Sequence, residues 1–221
     1  MAIIKKHDFV EMDYTGRLRE DGAVFDTTEE KVAKENDVYG KNADYHPAIV
    51  CIGENNVLKE LEDQLIGKET GKDYKIDIES GKAFGRKDAR LIQMIPLSKF
   101  KHQKIQPIPG LQLNIDGVFG VVKTVSGGRV LVDFNHPLAG KDLVYDVKIR
   151  RVVEDNKEKI KALLSLVFHI KDAEVGGDDS ITIKAKGKIP QEAQDEFRKI
   201  VERTVAGIKT INFEASEEEN K

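Results

Sequence analysis

The sequence has no tryptophan and a single cysteine, Cys51, in 221 residues. One cysteine excludes an intramolecular disulfide and points to a reducing, cytoplasmic setting. Aromatic residues make up 6% of the chain and hydrophobic residues 39%. That is thin for one large core and favours several modest domains. No run of about 18 apolar residues occurs, so no membrane-spanning helix is expected. The opening Met-Ala-Ile-Ile-Lys-Lys has neither the apolar stretch nor the cleavage site of a secretory leader. Charge of one sign is also missing: 36 basic against 39 acidic residues give a net charge of −3. A strong nucleic-acid binder usually carries a large basic excess, so none is expected here. What the chain has in quantity is mixed charge, 34% of residues, above the roughly 25% of an average domain.

Most enzyme motifs are absent. There is no Gly-x-Ser-x-Gly, no dinucleotide-binding glycine triplet after a strand, and no P-loop, since Gly85 is followed by Arg86-Lys87. The histidines, His7, His46, His102, His136 and His169, are scattered, and none stands at metal-ligand spacing with Cys51. Neither metal nor cofactor is expected. Carboxylate pairs abound, but in so charged a chain nothing selects one. Composition and spacing alone therefore leave a soluble multi-domain protein without an assigned chemistry.

Local patterns divide the chain. Residues 8–19 read as a strand, Asp21-Gly22 as a two-residue type I′ hairpin turn, and Val24-Phe25 as the start of the return strand. Residues 28–47 form a long polar excursion with a helical turn near 29–35, and residues 48–52 form a further strand ended by Gly53. Val57, Leu58, Leu61 and Leu65 lie on one face of a short amphipathic helix spanning 54–66, capped by Asn55 or Asn56 and stopped by Gly67. Residues 73–78 alternate as a half-buried strand. Residues 88–135 then change character: six basic residues oppose three acidic ones, and four of the six prolines lie between Pro96 and Pro137. Strands at 118–122 and 129–134 flank the turn signal Ser126-Gly127-Gly128. A long strand is expected at 143–153. Beyond it, Asp155 caps a helix, residues 181–183 alternate as a strand, Pro190 opens a strongly amphipathic helix, and residues 211–213 close as a strand. The chain finishes on an acidic tail, 214–221.

Several phrases follow one another in a known order: Tyr14; Gly22-Ala-Val-Phe25-Asp26; Ile52-Gly53 with Val57-Leu58 and Leu61; Ala83-Phe84-Gly85; and Leu143-Val-Tyr145-Asp-Val147. In this order they resemble the FKBP-type peptidyl-prolyl isomerase family over residues 1–153. Asn135-His136-Pro137-Leu138-Ala139-Gly140 before the last strand resembles the SlyD-like branch, in its long archaeal form.

The resemblance implies an α+β protein of three parts. These are an FKBP-like antiparallel half-barrel wrapped on a short helix (1–87 plus 136–153), a small β-rich insert-in-flap chaperone domain (88–135), and a small α+β C-terminal domain (154–221). It implies peptidyl-prolyl cis-trans isomerase activity on unfolded or nascent proline-containing polypeptides. Tyr14, Asp26 and Phe84 are the expected catalytic residues. Phe25, Val57, Leu58, Leu61, Leu138 and Tyr145 are expected to line the proline slot, and the Leu58 N–H to bond the substrate carbonyl. The position of the tryptophan floor of small drug-binding members holds Leu61, the flap aromatic is Phe84 rather than Tyr, and Ala48 stands where an aromatic is expected. Ile92, Met94, Leu97 and Phe100 are the candidates for a chaperone groove. The C-terminal part suggests a homodimer contact or a second client surface. The tail lacks His and Cys, which argues against a metallochaperone. The competing reading is a non-catalytic peptide-binding chaperone on the same fold.

Overall fold

A computed structural model of the chain describes residues 1–115, 117–187 and 189–216. The acidic tail expected at 214–221 lies, from residue 217 onward, outside the described residues. The elements run β1 (Phe9–Leu18), β2 (Val24–Thr27), α1 (Glu30–Glu35), β3 (Ala48–Cys51), α2 (Lys59–Leu65) and β4 (Asp73–Ile78). There follow β5 (Ile92–Pro96), α3 (Leu97–His102), β6 (Gln112–Ile115), β7 (Val118–Ser126) and β8 (Arg129–Asp133). The chain then continues through β9 (Leu143–Val153), α4 (Asn156–Phe168), β10 (Glu174–Gly176), β11 (Ser180–Lys186), α5 (Gln191–Thr204) and β12 (Thr210–Ser216). Two compact units result. One holds Met1–Ile78 together with the described residues from Leu143 onward, and the other is Glu79–Asp142.

The first unit is built on a five-stranded antiparallel sheet of order β2-β1-β9-β4, with β3 also on β1. β2 and β3 share one edge of β1, β2 near Gly16 and β3 from Phe9 to Met12. β9 runs along the other edge and carries β4 on its far side. β9 shows why it forms a strand. Tyr145, Val147 and Ile149 are buried while Asp146, Lys148 and Arg150 are exposed, the period of two of a one-faced strand. The register slips between Glu11 and Met12, leaving Arg150 as the extra residue of a bulge.

The C-terminal elements build a second sheet, β10-β11-β12. β11 and β12 are parallel and joined through α5, as a parallel pair requires. The Asp155 side chain caps α4 as expected, accepting from the Glu158 N–H. Ile160, Leu163 and Leu164 of α4, Ile181 and Ile183 of β11, and Phe197 and Val201 of α5 then enter a core that also contains Phe9, Cys51 and Val153 of the first sheet.

The second unit carries a four-stranded antiparallel sheet, β5-β8-β7-β6. Gly127 and Gly128 both take positive φ, the requirement of the two-residue turn read at that position. Asp88 and Asn135 clasp each other, the Asp88 N–H donating to Asn135 Oδ1 and Asn135 Nδ2 to the Asp88 carbonyl.

Two expectations differ from the fold, and one element was not expected. The β1–β2 connection is not a type I′ turn: of Asp21 and Gly22 only Gly22 has positive φ, and Asp21 instead accepts the Ala23 N–H in an Asx turn. The second helix begins at Lys59, not 54, because Gly53 and Asn55 adopt left-handed backbone in the loop before it. α3 had no sequence signal of its own; its six residues are too few to show a helical period.

Candidate active site

Four expected residues meet in the first unit. Tyr14 on β1 stands opposite Val147, and Tyr145 on β9 stands opposite Gly16, two residues along β1. Phe25 and Asp26 come from β2, where Asp26 pairs with Gly16. The Tyr14 hydroxyl donates to Asp26 Oδ2 at 3.1 Å. The Tyr14 and Tyr145 rings are 6.0 Å apart and tilted by 58°. Phe25 meets Tyr145 edge to face at 5.8 Å and 87°, an arrangement that aromatic quadrupoles favour.

Gly16, which the motif reading overlooked, makes this packing feasible. A Cβ there would fall 2.6 Å from Phe25 Cζ and 3.0 Å from Tyr145 Cε1. The available signal was a glycine inside a strand, which often marks a close approach.

Electrostatics follow from this crowding. Burial is the largest influence raising the Tyr14 pKa far above the ordinary phenol value, followed by the Asp26 charge and hydrogen bond. Burial, then Asp26, does the same to Tyr145. The Asp26 carboxyl is also raised, chiefly by partial desolvation, against the opposing hydrogen bonds from Tyr14 and the Thr27 N–H. The residue itself keeps solvent contact, so this is not the shift of a fully buried acid.

Tyr14, Phe25 and Asp26 line a recess of about 290 Å³ whose opposite wall is the excursion after α1, including Val38, Gly40, Asp44, Tyr45, His46 and Ala48. Tyr45 stacks on Tyr39 at 5.3 Å, and its hydroxyl accepts the Gly40 N–H at 2.8 Å. It supplies an aromatic ring close in sequence to Ala48, a role the sequence reading did not give it. The hint was two of only five tyrosines within one polar excursion.

Val57, Leu58 and Leu61 do not line this recess. Val57 and Leu58 are half-buried ahead of α2, and Leu61 within α2 is fully buried. Among the described residues the Leu58 N–H meets no acceptor, while the Leu58 carbonyl accepts from Leu61 and Glu62. Glu62, 1% exposed, is the clamp of this loop. Its Oε2 accepts from Gly53 N–H at 2.7 Å and Asn55 N–H at 3.1 Å, and its Oε1 from Val57 N–H at 3.1 Å.

Phe84 and Leu138 belong to the second unit. His136 joins them: its ring stacks on Phe84 at 4.3 Å and 4°, and its Nδ1 accepts the Leu138 N–H at 3.1 Å. Of the groove candidates, Phe100 is enclosed in the unit's core, Leu97 packs against that core, Ile92 is half-buried and Met94 is exposed. The other large exposed apolar residues include Ile108, Val118 and Phe119. Among the described residues, no group of three or more His, Cys, Asp or Glu could hold a metal ion, and no helix is long and apolar enough to cross a membrane.

Residues 93–138 match the family model described as FKBP26, IF domain. A short-type peptidyl-prolyl cis-trans isomerase of Methanocaldococcus jannaschii is 37% identical over 150 residues, covering 68% of this chain and 94% of the relative. A probable FKBP-type 16 kDa peptidyl-prolyl cis-trans isomerase of Pseudomonas fluorescens is 34% identical over 118 residues, covering 51% of this chain and 77% of the relative. The FKBP-type isomerase SlyD of Helicobacter pylori is 28% identical over 130 residues, covering 58% and 70%. With Tyr14, Phe25 and Asp26 lining a recess, the buried Tyr145 ring packed against the first two, and relatives of this kind along most of their length, the chain belongs to the FKBP-type peptidyl-prolyl cis-trans isomerase family.

Proposed function

We propose that this protein is a peptidyl-prolyl cis-trans isomerase and folding chaperone acting on unfolded or nascent proline-containing polypeptides. The observation that carries the reading is the Tyr14–Asp26 hydrogen bond at the mouth of an aromatic-lined recess. An X-Pro bond turns over a barrier of about 18–20 kcal/mol and takes tens to hundreds of seconds unaided. At the twisted transition state amide resonance is lost, and the polar planar amide gives up more hydration than the twisted one. A recess that strips water and grips the twisted prolyl group better than the planar forms lowers the barrier. Each ~1.4 kcal/mol removed is worth about tenfold in rate, so a few contacts suffice without a nucleophile.

In this reading Phe25 faces the prolyl ring from the recess, and Tyr145, buried against it edge to face, holds the Phe25 ring in place. Asp26, oriented by Tyr14, sets the field on the rotating carbonyl. The Leu58 N–H, which has no acceptor among the described residues, takes the substrate carbonyl. Phe84 and Leu138, held by His136, are further substrate contacts by resemblance to the family. Residues 88–135 serve as the chaperone part, with Met94, Val118 and Phe119, each about half exposed, offering apolar surface to a client.

The test is catalysis of a prolyl tetrapeptide and of a proline-limited refolding protein. The full chain should accelerate both, and deletion of 88–135 should spare the peptide reaction while crippling refolding. A folded protein inactive on the tetrapeptide would leave the non-catalytic chaperone instead. Equal losses on both substrates after deletion would reject the division of labour.

A further inference from the structure

Glu54 lies in the loop between β3 and α2, and its carboxylate receives Arg203 from the last turn of α5, Nε at 2.9 Å and Nη2 at 2.5 Å. The Glu54 side chain is only 10% exposed. The two-point geometry is the strong form of a guanidinium–carboxylate pair, and the Arg203 hydrogen bond is the main cause holding the Glu54 carboxyl below its ordinary range. On both sides of Glu54 the backbone is fixed from another direction, since Gly53 and Asn55 both donate to Glu62. The loop has reason to need holding: Gly53 and Asn55 take φ of +95° and +56°, and a left-handed non-glycine residue is uncommon. Val57 and Leu58 follow at once. Cys51, at the loop's start, packs in one core with Val201 of α5. A second ion pair, Lys171 with Asp44, ties the segment after α4 to the wall of the recess.

The geometry points to Arg203 as a positioning residue for isomerisation: through Glu54, helix α5 sets the loop that presents Val57 and Leu58. The C-terminal elements thereby act as a buttress for substrate binding. This rests on the isomerase reading, which gives Val57 and Leu58 to the substrate. Catalysis by positioning alone is sensitive to small displacements. Without Arg203, a largely enclosed carboxylate loses its two-point partner, keeps only His7 Nδ1 at 3.7 Å, and turns toward solvent, carrying loop backbone with it. Lysine cannot restore the two-point contact.

The experiment uses the full chain with R203A, R203K, E54Q and the R203A/E54Q double variant. K209A, which removes the Lys209–Asp179 pair away from this loop, is the control. Tetrapeptide isomerisation and amide hydrogen exchange are measured together, with circular dichroism to establish folding. R203A should lower kcat/KM about three- to tenfold, within the range of coupling through a contact network, with KM affected more than kcat. It should also speed exchange at Val57 and Leu58. R203K should recover part of the loss, the double variant should be no worse than R203A, and K209A should match wild type. Should R203A not fold, R203K and E54Q carry the same comparison. A folded R203A with wild-type kcat/KM and unchanged exchange overturns the inference, as do equal losses in K209A. An inactive wild type would sink the isomerase reading, while exchange at Val57 and Leu58 would still decide the coupling.

Discussion

Tyr14 holds Asp26 by a single hydrogen bond from β1 to β2, the phenol donating to the carboxylate at 3.1 Å. Burial and the Asp26 charge push the phenol well above its ordinary value, and partial burial raises the carboxyl as well. The phenol therefore stays protonated, and the donor, through neutral pH. An oriented carboxylate beside three aromatic rings is unfavourable for folding and useful for substrate, the balance expected of a functional site.

That balance makes Asp26→Asn informative. Asp26 has a raised folded-state pKa. Such a group favours the folded state below its unfolded pKa, and the benefit is lost as pH rises through the folded value. At pH 7 the ionised carboxylate therefore opposes folding, and Asn, which still accepts from Tyr14, should raise the melting temperature. The gain should vanish toward pH 3, where both forms are neutral. Activity should fall about tenfold or more, as for loss of an oriented electrostatic group. Thermal melts of the two proteins from pH 3 to 8 check the sign; a constant difference at every pH would contradict it.

Gly16→Ala tests the packing of the aromatic cluster. The new Cβ would sit 2.6 Å from Phe25 Cζ and 3.0 Å from Tyr145 Cε1, and the rings must move. Overpacking of this kind costs about 1–3 kcal/mol, readable by urea unfolding. Isomerase activity should drop more than the stability loss explains. Adding Phe25→Leu should relieve the clash and restore stability without restoring activity. Recovery of both would show that the Phe25 ring has no part in substrate binding.

Much of the fold is legible in the sequence. The strand around Tyr145, the Asp155 cap and the Gly127-Gly128 turn rest on local rules, with all the needed residues within a few positions. Tyr14, Phe25, Asp26 and Tyr145 were legible through their order in the chain. What stayed hidden depends on contacts between distant segments. Phe9 gives no sequence sign that it enters a core with α4 and α5. Glu62 reads as one acid of a charged helix, yet it is buried because three backbone N–H groups converge on it. Tyr45 sits in a polar stretch without periodicity, so nothing local aimed it at the recess.

Cys51 should behave as an inert interior thiol. Burial, with smaller contributions from Glu54 and Glu62, pushes its pKa up to about 12. Only the thiolate is nucleophilic, so iodoacetamide at pH 8 should modify the native protein no faster than it opens, and the urea-unfolded chain rapidly. Fast alkylation of the folded protein would mean that the loop after β3 opens readily.

Glu62 bears the greatest local demand. Each hydrogen bond to a charged acceptor is worth about 1.5–3 kcal/mol, and three N–H groups from Gly53, Asn55 and Val57 share this carboxylate. Glu62→Gln keeps the shape but turns one acceptor into an amide donor facing an N–H, and should cost about 2–3 kcal/mol. Glu62→Ala strands all three donors and should cost more. Because Val57 is one of them, both variants should also weaken tetrapeptide isomerisation, Ala more than Gln. Urea unfolding gives the energies, and amide exchange identifies the donors. Gly53, Asn55 and Val57 should lose protection together, ahead of β1 and β9. If their exchange instead tracks global unfolding in the variants as in wild type, the clamp does not hold the loop.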